Sequence, residues 1–484
     1  MNDTAIVLTT ANARYSHSAF GLKRLWRSLG ALRPQARILE FTIQDDPHEI
    51  VAVLLDANPR VIGFGVYIWN VELLDHVVFI IRAVAPDIKI VLGGPELIDA
   101  GETMPIVAHA DYVIVGEGEE AFASLAGQLL AGEQPPEKVI VAAPPELAVL
   151  LDPYPAYTDE DIRQRVLYVE SSRGCPYRCA FCLSARENRV RRFPLRPFLD
   201  SVDTLLSRGA RRFKFTDRTF NINEGHVHEV LDFFLARVCP EMQLHFEIMP
   251  DRLSPSMLDK MACFPPEALH LELGFQSVSP ETQRAIGRCQ DIDKSMAAIR
   301  ALRERTGAIL HADLIVGLPG DASADIGRGF DMLVEAHIQE IQVGLLKRLR
   351  GTDIAGAAGC GIVFDEKPPY EALQTPRLSH AEIQHFKRFA RYCNLYYNSG
   401  NFPQTLPLLW KTAPTPFAAF SALSAWVWQR ERRTHRIPLA RLAEHLYRYL
   451  VEQGRHDPAT LARTIETDFR RLKGRRDKLP FLDI

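Results

Sequence analysis

The chain has 484 residues, 47% hydrophobic and 24% charged, with a formal net charge of −3. That length exceeds one ordinary compact domain and predicts two or three, with the composition of a globular protein and no apolar run long enough to cross a bilayer. The near-neutral charge excludes a global pull toward nucleic acid or an anionic membrane, and the polar start Met1-Asn2-Asp3-Thr4, read as lacking a signal peptide, predicts a cytoplasmic protein.

Residues 1–140 alternate short apolar runs with amphipathic segments, the pattern of a parallel sheet with crossover helices. Strands are predicted at Ala5–Leu8, Ala36–Phe41, Val61–Val66, Ile88–Leu92 and Tyr112–Val115. Helices are predicted near Gly21–Leu29, His48–Asp56, Val71–Ala85 and Glu119–Leu130, giving a doubly wound, Rossmann-like α/β domain. Glycines fall at the strand ends: Gly63 and Gly65, Gly93-Gly94-Pro95, and Gly116-Glu117-Gly118-Glu119. One such pair is an ordinary tight turn. Three at equivalent positions predict a ligand-binding edge where backbone approaches a ligand closely.

Residues 141–165 form a proline-punctuated linker, with Pro144-Pro145 and Pro153–Pro155. From 166 to 369 the alternation restarts, with strands predicted at Val166–Val169, Arg212–Phe215, Leu244–Ile248, Leu269–Gly274, Ile309–Val316 and Ile341–Leu346. Six βα repeats predict a partial, TIM-like (β/α)6 barrel with its site at the strands' carboxyl ends. Residues 370–484 turn helical, as in Ile383–Tyr397, Phe417–Arg433 and Leu439–Val451, and predict a mostly α-helical third domain. The basic runs Arg430–Arg436 and Arg470–Lys478 carry Glu431 and Asp477 among them and read as solvated helix faces rather than a nucleic-acid surface.

Of eight cysteines, three crowd into Cys175-Pro176-Tyr177-Arg178-Cys179-Ala180-Phe181-Cys182, directly after the first barrel strand. Three thiolates at this C-x3-C-x2-C spacing suit three irons of a cubane cluster and leave the fourth iron open. Zinc is the weaker reading, because no fourth ligand and no histidine lies in the loop. Cys239, Cys263, Cys289, Cys360 and Cys393 are scattered and read as core or incidental thiols.

This motif resembles the radical S-adenosylmethionine (SAM) superfamily, with Phe181 as its aromatic before the last cysteine. The resemblance implies that Cys175, Cys179 and Cys182 hold a [4Fe-4S] cluster, which cleaves SAM reductively to a 5′-deoxyadenosyl radical. It extends over about residues 166–355, through Phe215–Asn221, Leu271–Ser277 and Leu314–Gly320. It implies SAM contacts at Phe181, Asp217, Glu272 and Gln276, and at Ile315 and Gly317. The α/β domain ahead of the barrel resembles the cobalamin (vitamin B12)-binding subclass in Asn12–His17, Gly93–Glu96 and Gly116–Glu120. That likeness implies cobalamin near Tyr15, His17, Gly65, Gly93, Gly94, Gly116, Glu117 and Gly118. The lower-ligand motif D-x-H-x-x-G is absent, so His17 is expected to leave the cobalt spectrum unaffected when replaced. Arg391–Gly400 resembles the tail of an uncharacterised branch of the subclass.

The implied reaction is methyl transfer to an unactivated carbon of a small molecule, with electrons from a donor such as flavodoxin or ferredoxin. Cyclisation, ring rearrangement or another oxidation are alternatives within the class. A non-catalytic iron–sulfur or cobalamin-binding redox or sensor protein is the alternative outside it.

Overall fold

The computed structural model describes residues 4–99, 104–187, 189–356, 361–471, 475 and 477–482, so Cys360 lies outside the described residues. The chain forms two compact units. The first is Met1–Phe246 with Arg348–Ala357 and Asp365–Tyr370, and the second is Glu247–Lys347 with Ala358–Phe364 and Glu371–Ile484. Among the described residues no helix is long and apolar enough to cross a membrane.

The first unit opens with β1 (Ile6–Asn12), β2 (Ala36–Thr42), β3 (Val61–Gly65), β4 (Lys89–Gly93), β5 (Tyr112–Val115) and β6 (Val139–Val141). All pair in parallel, in the order β2-β1-β3-β4-β5-β6. Helices cover both faces, so the central strands are mostly apolar and β1 is buried along its whole length, Thr9, Thr10 and Asn12 included. Ile50, Leu54, Leu74, Val77 and Ile81 from Pro47–Asp56 and Val71–Val84 pack on one face. Leu22, Phe122, Leu125 and Leu129 from Phe20–Ser28 and Glu119–Leu130 pack on the other. Each such side chain stabilises the fold by about 1.5–3 kcal/mol. Because β1 lies between β2 and β3, the strand order reverses there, and a crevice opens at the carboxyl ends.

The predicted linker holds more structure than its prolines suggest. Thr158 and Asp161 form a reciprocal capping box that starts the helix Asp159–Gln164. Next come β7 (Leu167–Val169), a small antiparallel ribbon of β8 (Ser172–Arg173) and β9 (Arg191–Arg192), then β10 (Arg212–Phe215) and β11 (Gln243–Ile248). β7, β10 and β11 are parallel neighbours. Phe215, Phe220 and Phe246 fill their core with ring centroids 4.1 and 4.5 Å apart from Phe246.

In the second unit β12 (Leu269–Gln276), β13 (Ile309–Val316) and β14 (Glu340–Leu345) are parallel and adjacent. Its later part is helical, as predicted, with Phe330, Phe386, Phe389 and Phe420 buried among His380–Cys393, Pro416–Glu431 and neighbouring helices.

Candidate functional site

The cysteine loop leaves β8 through Gly174, whose φ of +86° is a left-handed turn. A Cβ there would lie 2.2 Å from the Arg189 carbonyl, so only glycine fits. The Cys175 amide donates to the Glu187 carbonyl (3.3 Å), and the Cys182 amide donates to the Cys179 carbonyl (2.9 Å). Cys175 and Cys179 are buried, while Cys182 and Phe181 are half-buried. Three thiols on one pinned loop are the donor set a cubane cluster needs. Among the remaining described cysteines, burial drives the Cys393 thiol strongly upward, and its Sγ faces the Ile341 carbonyl at 3.7 Å, as a core thiol does.

Asp217 stands at the carboxyl end of β10 and is buried. It accepts from the Ser171 amide (3.0 Å), the Ser171 hydroxyl (2.5 Å) and the Ser172 hydroxyl (2.6 Å). Ser171 Oγ in turn accepts from Nε2 of His226 at 2.8 Å. Burial and the nearby Arg192 lower that imidazole to about 4, so it is neutral. The structure therefore engages Asp217 in holding the segment that enters the cysteine loop.

Burial raises the Asp217 carboxyl to about 6, against the pull of the three serine hydrogen bonds. A carboxyl raised above its unfolded value of 3.8 binds its proton more tightly in the folded chain. Its contribution to stability is therefore greatest in acid and falls as pH rises through about 4 to 6. Asp217→Asn is expected to destabilise the chain more at pH 4 than at pH 7, by roughly 2 kcal/mol. Urea midpoints for both proteins at the two pH values measure this, and an equal difference at each would refute it.

Above the carboxyl ends of β3, β4 and β5 lies a mostly apolar cavity of about 260 Å3. Gly65, Gly93, Gly94, Gly116, Glu117 and Gly118 line it, together with Tyr67, Arg24, Glu170 and Arg173. The glycines differ in kind. At Gly93 an added Cβ would meet only the Ile114 carbonyl, at an ordinary contact distance of 3.8 Å, so the backbone tolerates a side chain there. At Gly94 the φ is +115°, and a Cβ would sit 2.4 Å from the Val66 carbonyl oxygen. At Gly116 the φ is +101°, with the Ala142 carbonyl 3.0 Å away. All three line the cavity, but at Gly94 and Gly116 a side chain would also strain the backbone, and at Gly93 it would not.

A largely buried ionic hub closes one side. Arg173 donates to Glu117, to Glu119 (2.5 Å) and through Nε to Glu170 (3.0 Å). Arg191 also donates to Glu117, and Arg24 donates to Glu170 (2.9 Å). Burial lowers the Arg173 guanidinium, but Glu170 and Glu119 outweigh it and hold it above its ordinary range. Tyr15 and His17 are not among the residues lining this cavity. The Tyr15 hydroxyl donates to Glu160 and Gln164, and Nδ1 of His17 bonds the Tyr168 hydroxyl. Sequence reasoning missed Tyr67, Arg24 and Arg173. Tyr67 carries a local signal, an aromatic just beyond the β3 glycines, while Arg24 and Arg173 carry none.

In the second unit the loops after β12 and β13 are joined. Asp321 accepts from Ser277 (2.8 Å) and Thr282 (2.9 Å). Gln276 has a φ of +60° beside a register shift, and Gly317 a φ of +96°. Glu272 and Gln276 share a face of β12 but lie four residues apart, roughly 13 Å along the strand, so they do not act at one point. Ile315 is half-buried near the end of β13.

Residues 169–333 match the radical SAM superfamily, residues 6–126 the B12 binding domain, and residues 359–482 a protein family of unknown function (DUF4080). The chain is 23% identical over 244 residues to the ribosomal protein uS12 methylthiotransferase RimO of Synechocystis, covering 47% of this chain and 55% of that protein. It is 24% identical over 323 residues to the tRNA-2-methylthio-N(6)-dimethylallyladenosine synthase of Ralstonia pickettii, covering 64% and 68%. The chain thus spans about half the length of the first of these relatives.

Among solved structures, the cobalamin-dependent SAM radical enzyme OxsB with aqua-cobalamin bound aligns with a TM-score of 0.67 at 14% identity, covering 96% of this chain and 81% of that one. The radical SAM methyltransferase TsrM of Kitasatospora setae, with cobalamin and a [4Fe-4S] cluster bound, aligns at 0.61 and 20% identity, covering 78% and 84%. These likenesses show the fold. The cysteine loop and its strands place the protein in the class of radical SAM enzymes. More particularly, it joins that radical SAM region to a B12-binding domain and a DUF4080 C-terminal region, and with these domains go a [4Fe-4S] cluster, SAM and cobalamin as cofactors.

Proposed function

We propose that Cys175, Cys179 and Cys182 hold the cluster, that the glycine-rimmed cavity takes part of cobalamin, and that the enzyme methylates an unactivated carbon of a small molecule. The observation that carries this reading is that Arg173, two residues before Cys175, lines the same cavity as Gly93 and Gly116. One compact unit thereby joins the cluster loop to the cobalamin-type edge. When bound, the cluster supplies the electron that breaks the sulfonium of SAM, and cobalamin supplies the methyl group. The chain's own part is positional. Asp217 fixes Ser171 and Ser172, Gly174 turns the loop, and the apolar walls at Leu22, Leu25 and Phe122 exclude water. At about 260 Å3 the cavity suits the nucleotide tail of cobalamin rather than the whole molecule. A one-electron donor such as flavodoxin or ferredoxin completes the scheme, in domains bounded at about residues 140, 165 and 369.

Anaerobically reconstituted protein given SAM, dithionite and hydroxocobalamin is expected to form 5′-deoxyadenosine and to keep cobalamin through gel filtration. Iron-loaded protein that yields no 5′-deoxyadenosine would overturn the cluster assignment, and loss of all cobalamin would overturn methyl transfer. Gly93→Val is expected to weaken cobalamin retention by about tenfold or more, equivalent to about 1.4 kcal/mol, with iron content and melting temperature unchanged. Full retention by this variant would place the cofactor elsewhere. Gly94→Val is the poorer probe, because its added carbon strikes backbone.

A further inference from the structure

The second unit carries a cluster of side chains, His270, His311, Asp313 and Glu340, to which neither SAM nor cobalamin chemistry assigns a role. Parallel register sets Glu272 beside His311 and His311 beside Glu340, in one row across β12, β13 and β14. Strand alternation places His270 on the same face of β12 as Glu272, and Asp313 on the same face of β13 as His311. The opposite face is the buried apolar one, with Leu271, Leu310, Ala312 and Ile341. The His270 and His311 rings meet at 66°, with centroids 5.9 Å apart.

One ligand atom each from His270, His311 and Glu340 lies within 4.8 Å of the others, which no other group of three or more His, Cys, Asp or Glu does among the described residues. Asp313 Oδ1 stands 3.4 Å from Nε2 of His311, and both side chains are about 15% exposed. A metal-bound imidazole commonly gives its other N–H to such a carboxylate, which fixes the ring and raises its basicity. Glu272, Asp313 and Glu340 all bring negative charge to this point.

We propose that His270, His311 and Glu340 bind a divalent transition-metal ion of the zinc class, with Asp313 orienting His311. Two imidazole nitrogens and one carboxylate oxygen are a zinc donor set that leaves a coordination position open. Six residues separate His270 from Gln276, and six separate His311 from Gly317, so the site lies roughly 20 Å down the strands from those loops. The proposal stands independently of the cluster and cobalamin assignments.

The test is equilibrium dialysis of the full chain against Co2+, then Zn2+, with bound metal measured by plasma mass spectrometry. Carrying Cys175→Ser, Cys179→Ser and Cys182→Ser removes the competing thiolates. The same titration on cluster-loaded protein controls for a folding defect in that variant. Both are expected to retain one equivalent of Co2+ that Zn2+ displaces, and the cluster-free variant should show no thiolate-to-cobalt charge-transfer band. His311→Ala and the near-isosteric Glu340→Gln should each weaken retention by about tenfold or more while leaving iron loading and circular dichroism unchanged. Retention of no Co2+ by either parent protein would overturn the proposal, as would undiminished retention in both variants, which would place the ion elsewhere.

Discussion

Alanine at Cys175, Cys179 or Cys182 is expected to abolish the iron–sulfur cluster and all SAM cleavage, whereas alanine at Cys239, Cys263, Cys289 or Cys393 should leave both intact. The contrast follows from environment as much as from spacing. Cys175 and Cys179 are buried on a loop held by the Gly174 turn, where the thiols have polar company: Cys175 Sγ lies 3.5 Å from Thr219 Oγ1. Cys393 is also buried, but the low-dielectric core opposes ionisation of its thiol, and only a thiolate ligates iron well. Cys263 and Cys289 are exposed and Cys239 half-exposed, each alone in its stretch of chain. With three ligands already the minimum, removing one leaves two irons of the cubane without a protein anchor. Iron and sulfide per chain, with 5′-deoxyadenosine after reduction, give the readout. Normal iron loading and SAM cleavage in Cys179→Ala would sink the assignment.

Much of this architecture is legible because burial writes itself into the residue pattern. Arg212–Phe215, Ile309–Val316, Tyr112–Val115 and the helix Glu119–Leu130 form at the predicted bounds. Their apolar positions follow periods of two or 3.6, or run continuously where both faces are covered. The elements that escaped are those without such a pattern. β6 is a three-residue edge strand with Val139 and Val141 exposed, so no core face distinguishes it from loop. The β8–β9 ribbon is two residues wide and pairs Arg173 with Arg191, which no hydrophobic periodicity announces. The helix Asp159–Gln164 was readable from its Thr158–Asp161 capping box, but six residues among prolines carry too few apolar positions to call attention to it.

The site divides in the same way. Local features are visible: the cysteine spacing and the glycine edge both lie within a few residues of chain. Long-range partnerships are not. Glu117 reads as a cofactor contact beside its glycines, yet its oxygens are taken by Arg173 and Arg191, 56 and 74 residues away. Asp217 reads as a ligand to SAM because it ends a strand, yet its partners are serines 45 and 46 residues earlier. Charge pairing at such separations depends on how β5, β8 and β9 fold together, and pair spacing along the chain does not encode it.

That hub supplies the second large effect. Arg173→Met is expected to destabilise the first unit by about 3–5 kcal/mol, the usual cost of removing one partner from a buried ion pair. The substitution keeps the aliphatic length but deletes the charge that three carboxylates share. Glu117, Glu119 and Glu170 are only 17, 6 and 13% exposed, so water cannot readily replace the guanidinium. Arg191 still reaches Glu117 and Arg24 still reaches Glu170, which leaves Glu119 as the most poorly compensated group. Arg173→Lys should fall between the two, since an ammonium on a flexible stem cannot span three carboxylates as a planar fork does. Glu187→Gln offers the control, because Glu187 is 35% exposed and meets Arg191 at the rim; it should cost less than about 1 kcal/mol. Arg173 joins the turn before Cys175 to the glycine edge of the cavity. Its loss should therefore lower iron content and cobalamin retention together, whereas Gly93→Val lowers cobalamin retention alone. Urea denaturation with parallel iron and cobalamin assays distinguishes the cases: a wild-type midpoint with both cofactors retained in Arg173→Met would show that the hub holds neither the fold nor the two sites together.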